Sequence, residues 1–236
     1  MAFVTYPIKE ANVADLEIHG KPTRYALPPA TGTHSQCFAD GNYQGKVRRA
    51  TAEEIVAYAI AGIEGKNEWA DQNKVRFPDN NYLRFPVTLT IVPKDKERFG
   101  ELEGAMLFTP DLEGQGISRR VAVPKDLSEF TLSEGGVYER KDGTKLVKYD
   151  GWFPQERWDA RHGSVIALCG AQGAEALEKV AKDTNRTRYS WKVNPNGIAQ
   201  PENRVPVLDG YVRVRLDVYC DDNGDIEDGC AARVLE

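Results

Sequence analysis

The sequence predicts an α+β fold, predominantly antiparallel β in a sandwich or barrel-like arrangement, with two short packed helices and a C-terminal β-hairpin. Three observations carry that expectation. Short segments of alternating apolar and polar residues recur along the chain, separated by clusters of Gly, Pro, Asn and Asp. Two segments have the spacing of a helix with one buried stripe, and the first opens with a capping box. The last long segment, Tyr211-Val-Arg-Val-Arg-Leu-Asp-Val-Tyr-Cys220, alternates without a break, as a strand with one inward face does.

In chain order, residues 1–50 read as short strands and loops. Phe3 to Ile8 and Asp15 to His19 have strand character, and a loop rich in Pro, Thr and Gly runs from Leu27 to Thr33. Thr51-Ala-Glu-Glu54 sets a hydroxyl N-cap three residues ahead of a glutamate, so a helix starts there. Ile55, Val56, Ala59, Ile60 and Ile63 form its buried stripe, and Gly65 ends it. Phe85 to Val92, Ala105 to Thr109 and Ile117 to Val123 read as strands, and Pro124 to Phe130 as a single helical turn. Val137 to Arg140 and Lys145 to Tyr149 flank Lys141-Asp-Gly-Thr144, a hairpin signal. Ser164 to Cys169 reads as a short, fully apolar strand, and Ala174 to Asp183 is the second helix, with Leu177, Val180 and Ala181 inward. Thr187 to Val193 reads as a strand and Asn194-Pro-Asn-Gly197 as a turn. No repeat and no linker stands out, so residues 1–236 read as a single globular domain, with a boundary near 93–101 as the alternative.

The expected terminal hairpin joins Tyr211–Cys220 to residues 226–234. A three-residue turn at Asp222-Asn-Gly224 keeps the faces matched: Cys220 opposite Ile226, Leu216 opposite Cys230, Val212 opposite Val234. Cys220 and Cys230 then stand about 13 Å apart along the ladder at ~3.3 Å per residue, too far for a disulfide. Buried, reduced cysteines fit a cytoplasmic protein, or the interior of a virion made there.

Composition narrows the function classes. The chain has 31 basic and 36 acidic side chains, net −5. Five of the acids (Asp221, Asp222, Asp225, Glu227, Asp228) sit in the terminal turn, and the remainder carries 31 of each sign. No basic field draws nucleic acid or an anionic membrane. The first residues, Met1 to Glu10, lack the long apolar run of a membrane span or signal peptide.

Each candidate for chemistry has a plainer reading. Asp221-Asp-Asn-Gly-Asp225 imitates the start of a calcium loop. An EF-hand needs Gly sixth and an acid twelfth; Ile226 and Ala232 stand there, so the loop reads as a solvated acidic turn. His34 and Cys37 are half of a zinc ligand set, with Asp40 nearby and the other His and Cys residues scattered. Gly170-Ala-Gln-Gly173 lacks the Lys and Ser/Thr of a phosphate loop. The sequence therefore calls for no metal, no cofactor and no catalytic residue.

Two surfaces remain. The richest stretch is Tyr149 to Gly163, where Trp152, Glu156, Arg157, Trp158, Asp159, Arg161 and His162 mix aromatic and charged groups. With Pro154 at a helix start and Gly163 at its stop, residues 154–162 read as two helical turns. They form either a ligand or partner surface or, as we favour, core tryptophans under a surface ion-pair net. The outward face of the last strand, with Tyr211, Arg213, Arg215 and Tyr219 around Asp217, is the alternative site, for single-stranded nucleic acid.

The function expected is a non-enzymatic β-rich binding or assembly protein, of the kind found as viral or phage structural components, with a protein partner or self-association and no membrane. The alternatives are a single-stranded nucleic-acid-binding protein and a hydrolase with a dispersed carboxylate/His site, for instance Glu156 or Asp159 with His162.

Overall fold

The computed structural model describes residues 4–5, 13–27, 29–64, 82–111, 113–148, 158–189, 195–209, 215–221 and 229–236. Within them the fold is mixed α+β, built on two mostly antiparallel open sheets. The strands are β1 (Val4–Thr5), β2 (Val13–Ile18), β3 (Lys21–Ala26), β4 (Ala30–Gly32), β5 (Val47–Arg49), β6 (Tyr82–Arg84), β7 (Val87–Ile91) and β8 (Met106–Pro110). They continue as β9 (Phe130–Leu132), β10 (Val137–Arg140), β11 (Lys145–Val147), β12 (Thr187–Tyr189), β13 (Glu202–Asp209), β14 (Arg215–Asp221), β15 (Gly229–Ala231) and β16 (Arg233–Leu235). The helices are α1 (His34–Cys37), α2 (Ala52–Glu64), α3 (Lys96–Phe99), α4 (Gly163–Cys169) and α5 (Ala171–Asp183).

The smaller sheet runs β1-β2-β3-β16-β5, and the larger runs β4-β15-β6-β13-β7-β8-β11-β10-β9 with β14 and β12 added beside β13. One continuous core lies among them. Leu16, Ile18 and Tyr25 of the smaller sheet, Leu83, Leu89 and Phe108 of the larger, and the helices α2, α4 and α5 all belong to it. The Tyr25 hydroxyl donates to the Glu54 carbonyl at 2.6 Å, tying β3 to α2.

The capping box forms as its spacing predicts. The Thr51 amide donates to Glu54 Oε2 at 2.7 Å, and the Glu54 amide to Thr51 Oγ1 at 3.3 Å. Arg48 grips the same carboxylate with two bonds of 2.8 and 2.7 Å. Burial opposes the Glu54 charge, yet the bonds from Arg48 and Thr51 win and hold its pKa below the usual glutamate value.

Phe85 to Val92 divides in two. Pro86 has no N–H for a ladder, and residues 85–88 stand opposite only 205 and 206 of β13, so the strand bulges between β6 and β7. The expected β10–β11 hairpin forms, with Asp142 Oδ1 accepting the Thr144 amide at 3.0 Å across the turn.

Several elements differ from expectation. Ser164–Cys169 is helical rather than extended, every one of its residues is buried, and the chain runs through Gly170 into α5. An apolar run this short fits a buried helix as well as a buried strand. Residues 158–162 form a turn, not a helix. Asp159 Oδ1 accepts the Arg161 amide at 2.8 Å, an Asx turn that competes with helix, and His162 is the N-cap of α4. Gly163 therefore opens a helix instead of closing one.

Ile117 to Val123 pairs with no strand among the described residues and holds a 3₁₀ turn over Gly116–Ser118. Pro124 to Phe130 is not helical either. Asp126 accepts from the Ser128 amide at 2.8 Å and from its hydroxyl, an Asx turn that leads straight into β9.

The C-terminal hairpin is present, with a different partner. β14 is antiparallel to the strand before it, in the register Leu208↔Val218 and Asp209↔Asp217. The expected pairing of Leu216 with Cys230 is not made: β15 lies between β4 and β6, with Cys230 beside Thr31 and Leu83. Parity alone accepts either partner, because Leu216 and Val218 face the core in both cases. The acidic turn 222–228 lies outside the described residues.

Candidate functional site

β8 ends at Pro110, and the next residue carries a buried side chain held by four hydrogen bonds. Asp111 is buried, and its Oδ2 accepts from the Gly116 amide at 2.7 Å and from Thr88 Oγ1 at 3.1 Å. His34 Nε2 lies 3.1 Å from the same oxygen, and the Gln115 amide donates to Oδ1 at 3.0 Å. An ionised carboxylate in a core costs several kcal/mol unless paired and hydrogen-bonded. Here burial opposes the charge, while His34 and the Gly116 and Gln115 amides outweigh it and hold the carboxyl well below the ordinary aspartate range.

The local sequence is what makes this possible. Gly116 has φ +53°, and a Cβ there would come within 2.9 Å of His34 Cδ2, so a residue without a side chain lets the amide reach the carboxylate. His34 comes from the far side of the sequence on α1, whose Thr33–Gln36 capping box sets its start. Its ring packs on Phe38, centroids 4.8 Å apart. The His34–Asp111 contact thus fastens α1 to the end of β8 across 77 residues.

From this root the chain runs outward through residues 113–136, a mostly exposed segment. Pro110, Asp111, Glu113, Gln115 and Arg119 line a half-open cleft of about 230 Å³. Arg119 forms its wall. Its Nη1 donates to the Pro110 carbonyl and stands 3.8 Å from Asp111 Oδ1. Its own carbonyl accepts from Asn203 Nδ2, and Asn203 Oδ1 takes a bond of 2.8 Å from Thr90. On the opposite charge side, Glu113 Oε2 accepts from Gln115 Nε2 at 2.5 Å. The segment ends in β9, the outermost strand of the larger sheet, where Leu132 is 61% exposed.

No known family model matches the chain. Over 100 residues it is 33% identical to the dual-specificity RNA methyltransferase RlmN of Rhodopseudomonas palustris (strain BisB18). It is 32% identical to the protein of the same name in Bradyrhizobium sp. (strain BTAi1 / ATCC BAA-1182). In each case the match takes in 42% of this chain, which spans 22% of the length of these curated relatives. A solved structure described as "Accommodation of massive sequence variation in Nanoarchaeota by the C-type lectin fold" is similar over 86% of this chain and 92% of that one, at 14% identity and a TM-score of 0.44. At that score the likeness assigns neither fold nor function.

Trp152, Glu156 and Arg157 lie outside the described residues. Trp158 is 1% exposed, its Nε1 donates to the Leu216 carbonyl at 3.3 Å, and Arg188 stands over its ring at 5.7 Å. Asp159 and Arg161 pair with each other at the surface, 3.0 Å apart, and His162 is half-buried. Within the described part, Trp158 is a core anchor and residues 159–162 a local turn.

Tyr211 and Arg213 lie outside the described residues, and for Arg215 and Tyr219 only the backbone of β14 is described. Asp217, placed on the same face and expected to be wet, is 8% exposed. Two basic residues elsewhere, Arg48 and Arg49, are engaged within the chain. Arg48 binds Glu54, while Arg49 donates to the Phe38 carbonyl at 2.8 Å and lies over the Tyr43 ring at 4.6 Å.

Sequence reasoning noticed His34 beside Cys37 and looked for a metal. The two residues face different partners. Cys37 points its thiol at the carbonyls of Gly32, Ala30 and Gly229. Burial pushes that thiol up to about 11 even with Arg84 beside it. Among the described residues no group of three or more His, Cys, Asp or Glu is placed to hold a metal ion. Asp111, Gln115 and Arg119 were missed. The one available signal was Asp111-Leu-Glu-Gly-Gln-Gly116, a polar, glycine-bearing run too dense in turn formers for a strand interior.

Proposed function

We propose that the chain is a non-enzymatic binding or assembly protein whose recognition surface is the segment 113–136 together with the cleft at its root. The observation that carries this reading is the anchoring of a long exposed segment by a buried, fully bonded carboxylate. Loops that are exposed yet held in one shape bind with less ordering entropy to overcome. The edge of β9, which no other strand pairs among the described residues, adds a main-chain surface for a further strand, with Leu132 as its apolar contact.

The rival readings have less support. The hydrolase reading rests on His162 with Glu156 or Asp159: the Asp159 carboxylate is taken up by Arg161 at 3.0 Å and Glu156 lies outside the described residues, while His34 is 2% exposed with Nε2 engaged by Asp111. A single-strand binder needs a basic groove; the net charge of −5 and the engagement of Arg48 and Arg49 argue against it. The same charge argument tells against carrying over an activity on RNA from relatives of which this chain spans a fifth. Buried thiols favour the cytoplasm, or the interior of a virion assembled there, as the compartment.

Light scattering after size exclusion, with mass spectrometry of whatever co-purifies, tests the proposal. The expected result is a homo-oligomer or a defined complex that Leu132→Asp dissociates without lowering the melting temperature. A bare monomer that Leu132→Asp leaves unchanged would count against the assembly reading.

A further inference from the structure

We infer that the cleft beside Asp111 is a site for a small zwitterion of the size of a free α-amino acid. This rests on the binding reading above and gives it a ligand class. The cleft is about 230 Å³, below the ~300–1,000 Å³ of pockets for drug-sized molecules, so its occupant has only a handful of heavy atoms.

Its lining carries both signs of charge, and each charged group keeps an unused end. Arg119 bonds the protein through Nη1, and no bond among the described residues uses its Nε or Nη2. Those two N–H groups are the fork that grips a carboxylate with two parallel bonds. Glu113 accepts from Gln115 on Oε2, and Oε1 remains for a donor. Asp111 is fully buried and four hydrogen bonds already converge on its two oxygens, so the exposed carboxylate of the cleft is that of Glu113. The working charges are therefore one guanidinium and one carboxylate. A singly charged ligand engages one of them, whereas an ammonium-carboxylate ligand engages both.

The site is also fixed before the ligand arrives. Asn203 holds the Arg119 backbone, the Pro110 carbonyl holds its side chain, and Gln115 holds Glu113. Little side-chain entropy remains to be lost on binding.

Calorimetric titration with glycine and L-alanine tests this, with acetate and methylammonium as half-ligands and with the variants Arg119→Gln and Glu113→Gln. Both variants are checked for an unchanged melting temperature. The expected result is saturable binding of the amino acids. Each half-ligand and each variant should be weaker by roughly tenfold or more, the loss of one charge-assisted bond. Absence of amino-acid binding would overturn the inference, as would binding that Glu113→Gln leaves intact. Leu132→Asp separates the two proposals. If amino acids fail to bind while the wild-type protein still assembles through β9, only the ligand falls; if both fail, the binding reading falls with it.

Discussion

Replacing Asp111 by Asn is the most demanding test of how the site is held. The substitution keeps the shape of the side chain and removes its charge. One end of the carboxamide becomes an NH₂ group facing donors on either side: the Gln115 amide at Oδ1, or the Gly116 amide, Thr88 and His34 at Oδ2. Breaking a buried charge pair by changing one partner costs ~3–5 kcal/mol. For a chain of this length each kcal/mol moves the midpoint by roughly 2–4 °C, so the variant should melt ~6–20 °C lower. Denaturant unfolding should show the same loss as a lower midpoint at unchanged slope. The pH dependence adds a second readout. The folded-state pKa of Asp111 lies below its ordinary value, so its contribution is present above the unfolded pKa of about 3.9 and is lost as pH falls below it. Asp111→Asn should remove that part of the acid limb while leaving the neutral plateau flat. A variant within ~0.5 kcal/mol of wild type, with an unchanged acid limb, would show that the bonds around Asp111 do not hold the segment.

Three further outcomes follow from the packing. Trp158→Ala empties a fully buried site and should cost ~3–5 kcal/mol in thermal unfolding; an unchanged melting temperature would mean the ring is not a core anchor. Gly116→Ala forces a side chain at positive φ against His34, and should lower the melting temperature while Gly41→Ala, with nothing within 4 Å, does not. Thiol titration under denaturing, non-reducing conditions should find four thiols; in the native state Cys37 and Cys169, pushed up to about 11 and about 12, should react slowly with alkylating reagents.

The fold class was legible because its signals are local. The capping box at Thr51 to Glu54 and the Lys141–Thr144 turn each act within four residues, and both form as their spacing demands. Failures came where two structures satisfy one pattern. Ser164–Cys169 is buried on every side, so its apolar run has no period to betray helix or strand. The last long strand kept its inward parity but took β13 as partner, since alternation specifies a face and not a neighbour. Pro124 to Phe130 looked helical until Asp126 turned onto Ser128, a competition that composition cannot weigh.

The site was illegible for a different reason. His34 and Asp111 are 77 residues apart, and neither sits in a motif that fixes the other. What brings them together is the meeting of α1 with the end of β8, which depends on the whole sheet order. Aromatic density drew attention to Trp152–His162 instead, where Trp158 is interior, as the favoured reading had it, and its polar neighbours Asp159 and Arg161 bond each other. A tryptophan is read most safely as burial. The better pointer to a surface built for recognition is the reverse combination: a buried charge at the root of an exposed segment. A charge that deep is retained only where bonds from several elements converge on it, and in this chain those bonds also set where Glu113, Gln115 and Arg119 stand.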